Sequence, residues 1–280
     1  MTPPRIWIWH GLRLALPADW EMLQYSTLAA HGRCSWADRN QFRLQLSWRT
    51  LPGEPDLPRM LDDYAAKLRG ADPPPDAVEP LEAEGWSGIL CRRSESFLTR
   101  FARFLPDRSI MAELLFIHPE RGRDAAAETS VLGSFAEASG EWQAFGMRVT
   151  PPEGFDLTAC DVRPAQARLV FTHPRDPLQV LRAERLGMLD AWLRAPVREW
   201  AEARVKGELA QAEVRDTGEH AAVGEGILRR AGWIGRIRRP LPCRIDAWTD
   251  PDEHRLYTAW AVGEAAQGDP PCRLAAQDRG

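Results

Sequence analysis

Residues 11–20, Gly-Leu-Arg-Leu-Ala-Leu-Pro-Ala-Asp-Trp, decide how this chain is interpreted, because their pattern returns at residues 146–155 as Gly-Met-Arg-Val-Thr-Pro-Pro-Glu-Gly-Phe. Both stretches run from a glycine through an apolar–Arg–apolar segment to a proline and an aromatic residue, at an offset of 135 residues. Trp36 and Phe171 are separated by the same offset and are both aromatic. Recurrence at a fixed offset indicates a tandem duplication, so we expect two homologous domains.

A second pair of matching segments lies near the end of each half. Gly-Trp-Ser-Gly at residues 85–88 matches Gly-Trp-Ile-Gly at residues 232–235, and Arg108 matches Arg255, now at an offset of 147 residues. The second half therefore has twelve more residues between its matching segments than the first. These matches predict three segments: a first domain over residues 1–140, a second domain over residues 141–263 and a flexible tail over residues 264–280.

Strand and helix patterns alternate within the first half. Residues 41–48 place Phe42, Leu44, Leu46 and Trp48 on one face of a strand and polar side chains on the other, which is typical of an antiparallel sheet with one covered face. Asp56 can cap a helix over residues 57–68, whose apolar stripe would cover such a sheet. We therefore predict an α+β fold with two homologous domains, each a mainly antiparallel sheet covered by helices.

The second half contains the longest predicted helix. Residues 191–214 carry apolar side chains at helical spacing, and Pro196 within them marks a start or a kink. Trp192 and Trp200 would share one face of this helix. That face is either a stripe of core residues or an interface with another protein, because tryptophan is favoured at binding hot spots.

Composition excludes several classes of protein. The chain is 44% hydrophobic and 27% charged with a formal charge of −4, as in ordinary globular proteins, and gives no overall attraction to nucleic acid. The N-terminus lacks the apolar run of a signal peptide, and no stretch approaches the roughly 18 apolar residues of a membrane span. We expect a cytoplasmic protein without membrane insertion.

The residues that usually carry chemistry are scattered. Neither the five cysteines nor the six histidines include a Cys-x-x-Cys or His-x-x-x-His pair, so the sequence predicts no metal and no cofactor. Ser87 lacks the Gly-x-Ser-x-Gly spacing of a nucleophile elbow. We therefore expect a protein that is not an enzyme.

The most concentrated charge lies between Glu225 and Asp246, where no acidic residue occurs. On neighbouring strands its arginines would form a basic strip able to bind phosphates, which makes a nucleic-acid-associated factor the alternative function. Another interpretation is a solvent-facing sheet surface whose arginines pair with local carboxylates. The candidate binding residues of the chain are Trp192, Trp200, Arg229, Arg230, Arg236, Arg238 and Arg239.

The order of elements around residues 11–20 and 146–155 resembles the PsbP/DcrB-like α/β/α sandwich superfamily, whose members open with an amphipathic strand, a Pro-x-x-aromatic turn and a second strand. The resemblance implies a fold and a binding role, since such domains serve as photosystem subunits, envelope lipoproteins, regulators of small GTPases and chaperones for type VI secretion effectors. On this basis we expect a non-catalytic protein-binding adaptor, chaperone or assembly subunit, with the effector chaperones as the model for such a role and another protein as its partner.

Overall fold

The computed structural model describes residues 3–94, 96–118, 122–228, 233–234, 237–238, 240–250, 252–267 and 273–276. These residues form two compact units, one ending at Glu137 and the other beginning at Ala138. Among the described residues, no helix is both long and apolar enough to cross a membrane.

The first unit contains ten strands and two α-helices among its described residues. In chain order they are β1 (Arg5–Trp9), β2 (Leu12–Leu16), β3 (Glu21–Gln24), β4 (His31–Ala37), β5 (Phe42–Thr50), α1 (Leu57–Arg69), β6 (Ala77–Ala83), β7 (Trp86–Arg93), β8 (Ser96–Leu105), β9 (Ile110–His118), α2 (Ala125–Ser134) and β10 (Ala136–Glu137).

Seven of these strands form one antiparallel sheet in the order β3-β4-β5-β9-β8-β7-β6. The predicted alternation of β5 is confirmed for Leu44, Leu46 and Trp48, which are buried, whereas Phe42 at its start is exposed. The buried face packs against the antiparallel hairpin of β1 and β2, with the rings of Trp7 and Trp36 6.1 Å apart.

Helix α1 lies on the opposite face, at one end of the sheet. It begins after Asp56, whose carboxylate accepts a hydrogen bond from the Arg59 amide, so the predicted cap is confirmed. The helix contacts β6 and β7, and its Tyr64 ring lies 4.5 Å from the Arg100 guanidinium. It therefore covers part of this sheet face and leaves the strands at the other end without a helix above them.

The second unit contains twelve strands and two short α-helices among its described residues. They are β11 (Trp142–Ala144), β12 (Met147–Thr150), β13 (Asp156–Arg163), β14 (Gln166–His173), β15 (Asp176–Leu186), α3 (Leu189–Trp192), α4 (Val197–Glu208), β16 (Leu209–Gly218), β17 (Ala221–Leu228), β18 (Trp233–Ile234), β19 (Ile237–Arg238), β20 (Pro242–Asp250), β21 (Arg255–Val262) and β22 (Arg273–Ala276).

The second large sheet has the order β13-β14-β15-β21-β20-β17-β16, which is the strand order of the first unit. Each unit also has a hairpin with a third strand beside it, β10 on β2 in the first and β22 on β12 in the second. The sequence assigned residues 273–276 to a flexible tail, whereas the structure places them in β22. Common descent of the two units stays our prediction.

Details at the 135-residue offset agree between the units. His10 and Gly11 have φ angles of 48° and 70°, and Phe145 and Gly146 have φ angles of 54° and 75°, so both opening hairpins use a turn with two positive φ values. The rings of Trp142 and Phe171 lie 5.5 Å apart, matching the Trp7–Trp36 contact of the first unit.

The predicted match of Trp86 with Trp233 is wrong. Trp86 begins β7, and the strand in the same place of the second sheet is β17, which begins at Ala221. Trp233 instead lies in β18, which pairs only with β19 among the described residues. A Gly-Trp dipeptide therefore recurred in the sequence without a matching position in the sheet.

The predicted α+β class is also wrong, because the described chain is predominantly antiparallel β structure with four short α-helices. Part of the error lies in residues 191–214, which form α3, α4 and the first half of β16 instead of one helix. Pro196 is the residue before α4, so its predicted role as a helix start is confirmed. The sheets are covered largely by hairpins, and helices cover only one end of each.

Candidate functional site

Trp192 and Trp200 do not share a helix face as predicted, because Trp192 ends α3 and Trp200 lies in α4. Trp200 is half-buried and packs against both core clusters of the second unit. Trp192 is 38% exposed, and its indole Nε1 donates a hydrogen bond to the Gly187 carbonyl at 2.9 Å. Of the two, only Trp192 lies mainly at the surface.

Met188, at the other end of the same helical turn, is a second exposed apolar residue. It precedes α3 with a positive φ of 57°, and 67% of it is exposed. The indole of Trp192 is hydrogen-bonded to the Gly187 carbonyl, one residue before Met188, so both exposed side chains belong to the same short segment. We call these two residues the α3 patch.

The α3 patch has a fixed base. Leu189, the first residue of α3, is buried in a core cluster with Val197 and Leu256. The Gly187 amide donates a hydrogen bond to the Ala165 carbonyl at 2.7 Å, which ties the start of the segment to the turn between β13 and β14. The segment that carries the α3 patch is therefore fixed by the buried Leu189 and by the Gly187–Ala165 hydrogen bond.

Few charges border the α3 patch. Asp190 is exposed and pairs with His254 at 3.5 Å, while Arg194 is also exposed. Charges of both signs thus lie near the two apolar side chains, and neither sign dominates.

Most of the predicted arginine strip falls outside the described side chains. The side chains of Arg229, Arg230, Arg236, Arg238 and Arg239 lie outside the described part of the chain, which includes the backbone of Arg238 in β19. Arg244, which the strip was predicted to include, is described. Its guanidinium contacts Asp246 at 2.8 Å and Glu225 at 3.7 Å, so its charge is locally balanced.

The densest polar cluster of the first unit lies under α2. Glu128, in the first turns of α2, is buried, and one carboxylate oxygen accepts hydrogen bonds from Thr99 of β8 and from His118 Nε2 of β9, the latter at 2.6 Å. Its other oxygen accepts two hydrogen bonds from Arg123, at 2.8 and 2.6 Å. We call Glu128 and these three donors the Glu128 cluster.

Ionisation of Glu128 is favoured despite its burial. Burial alone would raise the pKa of this carboxyl, but the hydrogen bonds from His118, Arg123 and Thr99 outweigh it and hold the pKa below its ordinary value. The Asp124 amide lies 3.4 Å from His118 Nδ1, which leaves Nε2 as the donor toward Glu128. The carboxylate is thus surrounded by protein donors and has a structural role in this arrangement.

Two buried groups in the second unit, Cys243 and Tyr257, stay protonated at neutral pH. Burial, with the nearby Glu208 charge, raises the pKa of the Cys243 thiol to about 12, so this thiol stays protonated and unreactive. Burial and the hydrogen bond to Glu253 likewise raise the pKa of Tyr257 to about 12. Within the described ranges, no group of three or more His, Cys, Asp or Glu side chains is arranged to hold a metal ion.

Sequence reasoning missed Met188 and the Glu128 cluster for different reasons. Met188 has a left-handed backbone conformation directly after Gly187, and methionine is not a residue type that indicates this conformation in a sequence. The cluster joins positions 99, 118, 123 and 128 from three elements, and only the strand register brings them together. The capping position of Asp124 before α2 was the one local signal available.

The matches of this chain to known proteins are to solved structures. No family model matches it, and no curated protein matches it. Among solved structures, a protein of Bacteroides thetaiotaomicron VPI-5482 matches with a TM-score of 0.32 and 12% identity, over 54% of this chain and 54% of its own. The present chain thus spans about half the length of that protein.

A second solved structure, the apo form of the immunity protein TplEi of the T6SS of Pseudomonas aeruginosa, matches with a TM-score of 0.38 and 10% identity, over 92% of this chain and 87% of its own. At these scores and identities the two likenesses carry no argument about function. Neither tests the resemblance to the PsbP/DcrB-like superfamily, which stays a prediction.

Proposed function

We propose that this chain is a non-catalytic protein-binding protein, and that the α3 patch of its second unit contacts an apolar site on a protein partner. The observation that carries this proposal is the exposure of Met188 and Trp192 on a fixed one-turn helix. Tryptophan and methionine are enriched at protein interfaces and depleted from ordinary surfaces.

The fixed geometry of Trp192 supports a binding role. Because its indole is already hydrogen-bonded to Gly187, little side-chain freedom is lost when a partner covers it. A rigid exposed indole is typical of a binding hot spot, where one residue contributes about 2 kcal/mol or more.

The first unit offers a comparison. Its connection between the third sheet strand and the helix that follows spans only residues 51–56 and contains no helical turn, whereas the second unit has residues 187–196 there. The longer connection supplies both residues of the α3 patch. We therefore assign partner binding to this difference between the units.

The finer roles of adaptor, chaperone and assembly subunit, including similarity to the type VI effector chaperones, belong to the same proposal. They differ in the state of the partner: a chaperone binds an unfolded or apolar segment, whereas an adaptor or subunit binds a folded surface. A cytoplasmic location is proposed with them.

The test is affinity capture from native lysate with the wild-type chain, the double variant Met188→Ala/Trp192→Ala and the control Phe42→Ala. Phe42 is a matched control because it is an aromatic residue of the first unit with a similar exposed fraction of 41%. The partner recovered with the wild-type chain is then purified and its affinity measured by calorimetry.

We expect a protein partner that survives high salt and nuclease, binds Phe42→Ala as it binds the wild-type chain, and binds the double variant at least about 10-fold more weakly. Equal affinity for all three chains would contradict the proposal. Recovery of nucleic acid, with binding lost at high salt, would move the function to the arginine alternative.

A further inference from the structure

The Glu128 cluster lies at one end of α2 only. Its donors come from β8, β9 and the residue preceding the cap of the helix, and they all meet the first turns of α2. Burial of the Glu128 carboxylate is unfavourable without partners, because an unpaired buried ion loses its hydration. The first turns of α2 are therefore held down mainly by polar contacts that depend on one negative charge.

The other end of α2 is held differently. Val131 and Leu132 are buried, and the Phe135 ring lies 4.8 Å from the Trp86 ring. Ser134 Oγ accepts a hydrogen bond from the Ala15 amide at 2.9 Å, which joins the helix end to β2. These contacts are apolar or neutral, so they do not depend on the charge of Glu128.

We propose that the first turns of α2 are an acid-sensitive latch: protonation of Glu128 frees them from β8 and β9, while the end of α2 and the seven-stranded sheet of the first unit stay folded. The charge on Glu128 decides the state because a neutral carboxyl accepts the Arg123 hydrogen bonds more weakly and competes with Thr99 and His118 as a donor.

The direction of the pH effect follows from the lowered pKa. A carboxyl whose pKa is lower in the folded state stabilises that state above its ordinary pKa of 4.5, and the contribution is lost as the pH falls below that value. The charged and titratable groups around Glu128 are His118 from β9, Arg123 before the helix and Asp124 at its cap; β8 contributes the neutral Thr99.

Hydrogen exchange measured by mass spectrometry on the full chain tests the latch. Wild-type protein is compared between neutral pH and pH values below 4.5, after correction for the intrinsic pH dependence of exchange, and Glu128→Gln is measured at neutral pH. Helix α1 is the internal control, since its cap and its contacts lie away from Glu128.

We expect residues 124–130 to exchange about 10- to 100-fold faster in acid and in Glu128→Gln, with α1 and the sheet strands unchanged. Should Glu128→Gln fail to fold, the pH series on the wild-type chain decides alone. Protection of residues 124–130 that persists until the whole first unit exchanges in one step would overturn the proposal.

Discussion

The two units have the same strand order, but different side chains occupy matching positions of their large sheets. In the first unit, Thr99 near the start of β8 lies close to His118 at the end of β9, and α2 brings Glu128 onto them. Strand register places Arg244 and Gly263 at the matching positions of β20 and β21. There the chain continues from β21 into a short 3₁₀ turn, Gly263–Ala266, and Arg244 pairs with Asp246 instead.

This difference shows that the strands of the two units share their core positions, whereas the connecting segments carry different features. Positions that face the hairpin in both sheets keep large apolar residues, as Trp36 and Phe171 show. The segments between strands carry the features that distinguish the units, which are the Glu128 cluster in the first and the α3 patch in the second. Loops and short helices on a fixed sheet are where binding features usually lie.

The largest expected effect comes from the shared core position. Trp36→Ala and Phe171→Ala each remove a fully buried ring at the same place in the two sheets, and each should destabilise its own unit by about 3–5 kcal/mol. Denaturant unfolding, followed by hydrogen exchange for each unit separately, measures both. A large loss for one variant and almost none for the other would break the equivalence of the two positions.

A smaller effect is expected where the opening turns are fastened. In the first unit, Arg108 donates hydrogen bonds to the His10 and Gly11 carbonyls at 2.7 and 2.9 Å, so Arg108→Ala should cost about 1.5–3 kcal/mol. In the second unit the Tyr257 hydroxyl lies 3.3 Å from the Gly146 carbonyl and 2.8 Å from Glu253. Because Arg255 still pairs with Glu253 when the hydroxyl is removed, Tyr257→Phe should cost about 1 kcal/mol. Thermal unfolding of both variants measures this order, and the reverse order would contradict it.

For the glycines of these turns we expect the larger loss of stability in the second unit. Gly11→Ala places a side chain at a positive φ, at a cost of about 1 kcal/mol. Gly146→Ala carries that cost too, and its Cβ would lie 2.6 Å from Arg185 Nη1 and 3.1 Å from Arg255 Nη1. Chemical denaturation should therefore find Gly146→Ala the more destabilised variant; equal losses would show that both arginines move aside freely.

The smallest effect concerns the alkaline limit of the second unit. Because the pKa of Tyr257 is raised to about 12 in the folded chain, its neutral form contributes stability that is complete below pH 10 and is lost between about pH 10 and 12. Ultraviolet titration should show one of the three tyrosines ionising near pH 12. Removal of that late transition in Tyr257→Phe identifies it, and its persistence would assign it elsewhere.

Local sequence patterns predicted the elements that are determined by residues close together in the chain. The alternation of β5 and the Asp56 cap of α1 were both visible, because each depends on residues next to each other in the chain. The opening repeat was also visible in the sequence, and the glycines that begin its two copies lie in turns of the same backbone conformation.

Other elements were missed for identifiable physical reasons. β16 is an edge strand with exposed side chains on both faces, so it lacks alternation and was read as the end of a helix. β6 is also an edge strand and contains Pro80, which an interior strand would exclude. The α3 patch arises from the break between α3 and α4, and a helical pattern across residues 191–214 hid that break.

The central claim is that the second unit binds its partner through α3, and site-specific photo-crosslinking tests it most directly. A photoreactive phenylalanine analogue is placed at position 192 in one chain and at position 42 in another, since the two native residues are aromatic and similarly exposed. The account predicts a protein adduct of defined mass from position 192 and none from position 42. Equal adducts at both positions, or an adduct from position 42 alone, would contradict it.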